Sequence, residues 1–213
     1  MLLDVDGTLV DSNDAHAHAW LETFASHGFF AEFGRIRELI GQGGDKLIPE
    51  ICRVSSDSLE GRRLSAERAL RFREQFLPRV RALPKAYDLL ARFRRAGLRL
   101  VVASSAPENE LAALLDICGA RDLVEHTASA DDVARSKPDP DIVEAALKKS
   151  GADAASAILL GDTPYDLQAA HKAGVGMVAL RSGGFPDELL RGALAIYDDT
   201  AHLLALYDRS PFA

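Results

Sequence analysis

Hydrophobic positions along the chain change period after the first few residues and again near residue 84. Leu2, Leu3 and Val5 form a short apolar run that stops at Gly7-Thr8, the mark of a strand ending in a turn. From Asp14 to about Val80 the spacing is helical, with no convincing strand. Trp20, Leu21 and Phe24 share one face of a first helix that ends at His27-Gly28. Ile36, Leu39 and Ile40 lead into Gly41-Gln42-Gly43-Gly44. Leu47, Ile48 and Ile51 then resume the pattern, with Pro49 interrupting. Ser58 to Val80 reads as one long helix whose apolar side includes Leu64, Phe72, Phe76 and Leu77.

After Pro84 helical stretches alternate with short apolar runs. Helix-like Tyr87-Leu90-Phe93 ends at Gly97, and Leu98 to Ala103 reads as a strand. Leu111, Leu114, Leu115 and Cys118 make the next helix face, followed by a short strand around Val124 to Thr127. Pro140 to Lys149 is helical, with two lysines in its last turn and Gly151 beyond. Ala157–Gly161, Val175–Leu180 and Ala195–Tyr197 are further strands, and a helix over Thr163–Ala173 separates the first two. Such alternation predicts parallel βαβ units with helices on both faces of one sheet. The expected architecture is therefore a doubly wound α/β domain, residues 1–13 and 82–213, carrying a helical insertion over residues 14–81. Met1-Leu2-Leu3 leaves little chain ahead of the acidic end, so the first strand is either very short or begins upstream.

Composition narrows the partners. Apolar residues make up 47% and charged residues 27% of the 213, an ordinary globular balance. A net charge of −7 argues against a nucleic-acid surface. The arginines of the insertion read as a solvated helix face. Cys52 and Cys118 do not form a C-x-x-C pair, and no leader or long apolar stretch occurs. The expectation is a cytoplasmic protein with reduced, buried thiols and no membrane span. The histidines lack metal-site spacing, and His16 and His18, two apart, do not share a helix face.

Candidate chemistry collects where the strands end. In an extended strand Asp4 and Asp6 project to the same side, and two carboxylates there repel unless a cation sits between them. Ligands of open parallel sheets bind at the carboxyl ends of the strands. There the chain carries Asp4 and Asp6, then Ser104-Ser105, then Ser136-Lys137-Pro138, then Gly161-Asp162-Thr163-Pro164-Tyr165-Asp166. Carboxylates that hold Mg2+, with a lysine and hydroxyls for phosphate oxygens, suit phosphoryl transfer. An aspartate can serve as its nucleophile.

DVDGTLVDS, the serine of VVASS, the lysine of SKPDP and the acidic LLGDTPYD resemble, in order, the four motifs of the haloacid dehalogenase (HAD) superfamily. The insertion after the first motif resembles the helical cap of its phosphoglycolate phosphatase and β-phosphoglucomutase-like branch. The resemblance implies a Mg2+-dependent phosphatase of a small phosphorylated metabolite, a sugar phosphate or phosphoglycolate, acting as a monomer or homodimer. It implies that Asp4 attacks phosphorus and that Asp6 serves as general acid and base while its backbone carbonyl ligates the metal. Ser104 and Lys137 would bind the phosphoryl group, Asp162 would ligate the metal directly, and Asp166 would do so through water. Gly7, Thr8 and Ser105 would join the phosphate site. The loop around Gly43 and Lys46, with Arg37, would choose the substrate.

Other readings fare worse. Dehalogenases and phosphonoacetaldehyde hydrolases of the superfamily lack the second aspartate, which Asp6 supplies here. A β-phosphoglucomutase-type mutase shares all four motifs but usually carries a glutamate where Gly161 stands. A phospho-accepting signalling module needs no helical insertion, and a non-catalytic binding protein would not need every motif residue.

Overall fold

The computed structural model describes residues 1–213. The chain opens with β1 (Leu2–Leu3) and passes into four helices, α1 (Asn13–Ser26), α2 (Phe33–Leu39), α3 (Gly44–Cys52) and α4 (Leu59–Arg71). Ser58 caps α4 by accepting the Gly61 N–H at 3.0 Å, which satisfies one of the orphan donors of that helix end. The single long helix expected to Val80 instead stops at Arg71. A wider π turn (Phe72–Phe76) and a 3-10 turn (Leu77–Arg79) follow. Pro78 stops the helix from continuing beyond these turns: it has no N–H for the Glu74 carbonyl, and its ring crowds that carbonyl.

The rest alternates as α5 (Ala86–Arg95), β2 (Val101–Ala103), α6 (Glu108–Ile117), β3 (His126–Ala128), α7 (Asp141–Ser150), β4 (Ile158–Gly161), α8 (Pro164–Lys172), β5 (Gly176–Leu180), β6 (Ala195–Tyr197) and α9 (Thr200–Ala205). All six strands are parallel in the order β3-β2-β1-β4-β5-β6. Three strands differ most from expectation. The second, β2, begins at Val101 rather than Leu98. Residues Arg121–Leu123 form a 3-10 turn, so β3 starts at His126 rather than near Val124. β1 ends at Leu3, before either aspartate, although the Asp4 N–H still donates to Leu160 O at 2.9 Å.

Alternation along the strands sorts the core into two layers. Leu2, Val101, Leu159 and Met177 pack with Ile142 and Val143 of α7 and Leu167 of α8. Leu3, Val102, Leu160 and Val178 face the other way, against α5, α6 and α9 through Leu90, Phe93, Leu114 and Leu203. The helical insertion has an apolar cluster of its own around Trp20, Phe24, Ile36, Leu47 and Leu64. The strand order reverses direction between β1 and β4, and at such a switch point the loops diverge and leave a crevice. No helix is long and apolar enough to cross a membrane.

Candidate active site

Three carboxylates converge in that crevice. One oxygen from each of Asp4, Asp162 and Asp166 lies within 4.8 Å of the others, and all three residues are buried. Asp4 and Asp162 follow β1 and β4, while Asp166 sits in the first turn of α8. There Thr163 caps the helix and exchanges hydrogen bonds with Asp166: its N–H and hydroxyl donate to Oδ2, and its Oγ1 accepts the Asp166 N–H. Lys137 is 1% exposed, and its Nζ lies 2.6 Å from both Asp4 Oδ1 and Asp166 Oδ1. Thr8 Oγ1 donates to Asp162 Oδ1 at 2.9 Å and approaches Asp4 Oδ2 at 3.3 Å, and Asn13 donates to Asp162 Oδ2 at 2.9 Å.

One lysine does not balance three buried carboxylates. Burial, opposed by Lys137 and reinforced by Asp166 and Asp6, pushes Asp4 up to about 7. Burial and the charges of Asp4 and Asp166 push Asp162 well above the usual carboxylate range. Burial works against the Lys137 ammonium, yet Asp166 and Asp4 more than compensate and raise its pKa. A divalent cation fits this arrangement. Opposite oxygens around Mg2+ are separated by about 4.2 Å, twice its usual bond length, which is close to the spread seen here. Asp166 Oδ1 also has no well-aligned hydrogen-bond donor although it is buried. An all-oxygen donor set suits a hard ion such as Mg2+.

The Asp6 carboxylate lies outside that cluster of three. Its Oδ1 accepts from the Ser12 hydroxyl and lies 2.8 Å from His16 Nε2. Asp4 and Asp6 nevertheless border one cavity, as expected of side chains that project together, but they take different partners, and Asp6 is not among the three clustered carboxylates. Burial would raise Asp6, but His16, Ser12 and Arg68 hold it below the ordinary aspartate value. His16 continues toward Glu110, 3.9 Å from its Nδ1, and Glu110 takes two hydrogen bonds from Arg68, at 2.8 and 3.1 Å.

The remaining expected residues divide between this crevice and its surroundings. Gly7 has φ +71°, and a Cβ there would come within 2.1 Å of Asp162 Oδ2, so only glycine allows the approach. Ser104 is buried with its Oγ accepting the Ala106 N–H at 3.1 Å, and Ser105 borders the cavity above Asp4. That cavity holds about 50 Å3, with Gly41, Gln42 and Arg68 among its walls. A second one of about 230 Å3, lined by Gly43, Asp45, Ser105 and Ser136, adjoins it. Lys46, expected to face an anionic substrate, instead pairs with Asp139 at 2.7 Å. Arg37 binds Asp14 at 2.7 Å and the Gly183 carbonyl at 2.7 Å, and lines a separate cavity with Tyr165 and Phe185.

Sequence reasoning missed His16, Asn13, Glu110 and Arg68. His16 was discoverable: it lies one turn into the helix that begins beside Ser12, which returns it toward Asp6. Arg68 departs from the solvated face expected for the insertion's arginines. Its guanidinium lies 5.2 Å from the Trp20 ring centre within the insertion and pairs with Glu110 of α6 at 2.8 Å.

Comparison with known proteins agrees with this geometry. Residues 1–174 match the family model of haloacid dehalogenase-like hydrolases. A phosphoglycolate phosphatase of Rhodospirillum rubrum is 30% identical, over 95% of this chain and 88% of that protein. A hydrolase from Pseudomonas syringae superposes with a TM-score of 0.90 at 31% identity, covering 98% of this chain and 97% of the other. CbbY from Rhodobacter sphaeroides, solved in complex with phosphate, gives 0.81 at 32% identity, covering 95% and 94%. The chain belongs to the haloacid dehalogenase-like hydrolases and is an enzyme of that family.

Proposed function

We propose that this enzyme is a Mg2+-dependent phosphatase of small phosphorylated metabolites that works through an aspartyl phosphate on Asp4. The observation that carries the reading is the convergence of Asp4, Asp162 and Asp166 on one buried point beside the Lys137 ammonium. Asp4, Asp162 and Asp166, with the backbone carbonyl of Asp6, would hold the ion. Bound there, Mg2+ would offset the charge of the carboxylates and of the transferring phosphoryl oxygens.

An Asp4 carboxylate oxygen forms the new bond to phosphorus as the ester P–O bond breaks. Lys137 and the Ser104 hydroxyl hold the equatorial oxygens, supplying the fixed charge and positioning on which phosphoryl transfer depends. Asp6 gives a proton to the departing alkoxide, then takes one from the water that attacks the aspartyl phosphate and releases orthophosphate. His16 Nε2, 2.8 Å from Asp6 Oδ1, holds that carboxylate in place at the edge of the cavity. A Cβ on Gly161 would lie 2.8 Å from the Asp166 side chain, so the glutamate usual in β-phosphoglucomutases has no room, which favours hydrolysis over phosphoryl return.

The similarity to a protein named phosphoglycolate phosphatase, and to one crystallised with phosphate, supports a sugar phosphate or phosphoglycolate as substrate. The test is turnover of p-nitrophenyl phosphate with Mg2+. Activity is expected to vanish with EDTA and to fall by about 10³-fold or more in Asp4→Asn. Unchanged activity in that variant would refute the role of Asp4. Phosphate release across a panel of phosphometabolites then identifies the substrate.

A further inference from the structure

Residues 43–46 of the insertion meet residues 136–139 of the sheet layer. The Gly43 N–H donates to Ser136 Oγ at 2.9 Å. The Ser136 hydroxyl donates to Asp45 Oδ1, and the Ser136 N–H donates to Asp45 Oδ2 at 3.2 Å. Lys46 Nζ donates to Asp139 Oδ2 at 2.7 Å and lies 3.7 Å from Asp45. Arg135 and Lys172 also approach Asp139, each at 4.0 Å. Gly43 allows this closeness, because a Cβ on it would lie 2.7 Å from Ser136 Cβ and 2.7 Å from Asp45 Oδ1.

The two gripped residues, Ser136 and Asp139, flank Lys137 in a turn closed by the Asp139 N–H to Ser136 O at 3.0 Å. Lys137 is held at its far end only by Asp4 and Asp166, so the placement of its backbone sets where its ammonium can reach. We propose that residues 43–46 form a clasp that positions Lys137, with Asp45 and Lys46 as its positioning residues. Closure of the helical insertion thereby completes the phosphoryl site from the back, through the backbone of the lysine loop. Lys46 then serves the core rather than the substrate. The idea rests on the phosphatase reading. It draws on the general finding that a displacement of about 1 Å at a reacting site can cost on the order of 10²-fold in rate.

The test uses p-nitrophenyl phosphate, whose nitrophenyl group offers residues 43–46 no charged or hydroxyl group to select. Asp45→Ala is expected to lower kcat about tenfold or more while KM stays within about threefold. Asp45→Asn should recover part of the loss, because its carboxamide oxygen can still accept the Ser136 hydroxyl. Orthophosphate binding, measured by calorimetry with Mg2+, provides the second readout. Asp45→Ala should weaken it in the wild-type background but not further in Lys137→Ala, since both changes act through one ammonium. Should Asp45→Ala not fold, Asp45→Asn and Lys46→Ala carry the same comparison. An unchanged kcat, an effect on KM alone, or a loss that adds fully to that of Lys137→Ala overturns the clasp. Absence of turnover by the wild-type protein instead overturns the phosphatase reading, and the clasp with it.

Discussion

Asp162 accepts hydrogen bonds from two uncharged donors, Thr8 and Asn13, yet it stands beside two further buried carboxylates. Neutralising it relieves that repulsion. Asp162→Asn is therefore expected to melt at a higher temperature than wild type in EDTA. Asn13 can turn its amide to match the new donor, because its Oδ1 has no partner. Mg2+ should raise the melting temperature of wild type, by about 2.7 kcal/mol of stabilisation at a hundredfold excess over Kd, and should have little effect on the variant. Equal Mg2+ shifts in both proteins, followed by differential scanning calorimetry, would place the ion elsewhere. Asp4 and Asp162 were legible in the sequence because each follows a strand end, and Lys137 because it precedes the helix after β3; parallel strands bring these connections to one rim. Glu110 and Arg68 were not. Their meeting depends on α4 lying against the first turn of α6, which no local pattern encodes.

The helices of the insertion are tied by a charged joint whose strength depends on pH. His27, just past α1, lies 2.7 Å from Glu60 and 2.9 Å from Glu67, both on α4. Hydrogen bonds to Glu67 and Glu60 raise the pKa of His27, so its contribution is complete below the usual 6.5 and fades as pH rises through the higher folded value. Hydrogen bonds from His27, Arg71 and Ser26 lower Glu67 from 4.5 to about 2, so its contribution is complete above about 4.5 and is lost as pH falls toward about 2. The joint is accordingly strongest between about pH 4.5 and 6.5. Trp20, the single tryptophan, lies in this helical cluster and reports its unfolding by fluorescence. His27→Ala should flatten the pH dependence of that signal, and an unaltered profile would refute the joint. At this scale the alternation of helices and strands was readable from periodicity. β1 was not readable as a two-residue strand, because its limits come from pairing with β2 and β4 rather than from its own residues. An end of this helix before Val80 could have been read from Pro78.

Across the molecule, the insertion closes over the crevice. The cavity above Asp4 and the one beside it lie between the insertion and the sheet, with Gly41, Gln42 and Arg68 walling the first, so substrate is expected to enter as the insertion and the sheet part. A Gly43→Cys and Ser136→Cys pair tests this. The ideal Cβ positions are 2.7 Å apart and need relax only to about 3.8 Å to form a disulfide. The oxidised variant should turn over far more slowly than the same variant reduced, whereas equal rates in the two states would show that substrate enters without opening. The doubly wound sheet and its helical insertion were predictable from the order of elements, but the closed contact between them arises from side chains distant in sequence. Covalent phosphorylation of Asp4 is the central step of the proposed reaction. Acid quenching during turnover with Mg2+, followed by mass spectrometry of the peptide that contains Asp4, should find one added phosphoryl group on that residue. A phosphoryl group on another residue, or continued turnover with no labelled protein at any quench time, would contradict it.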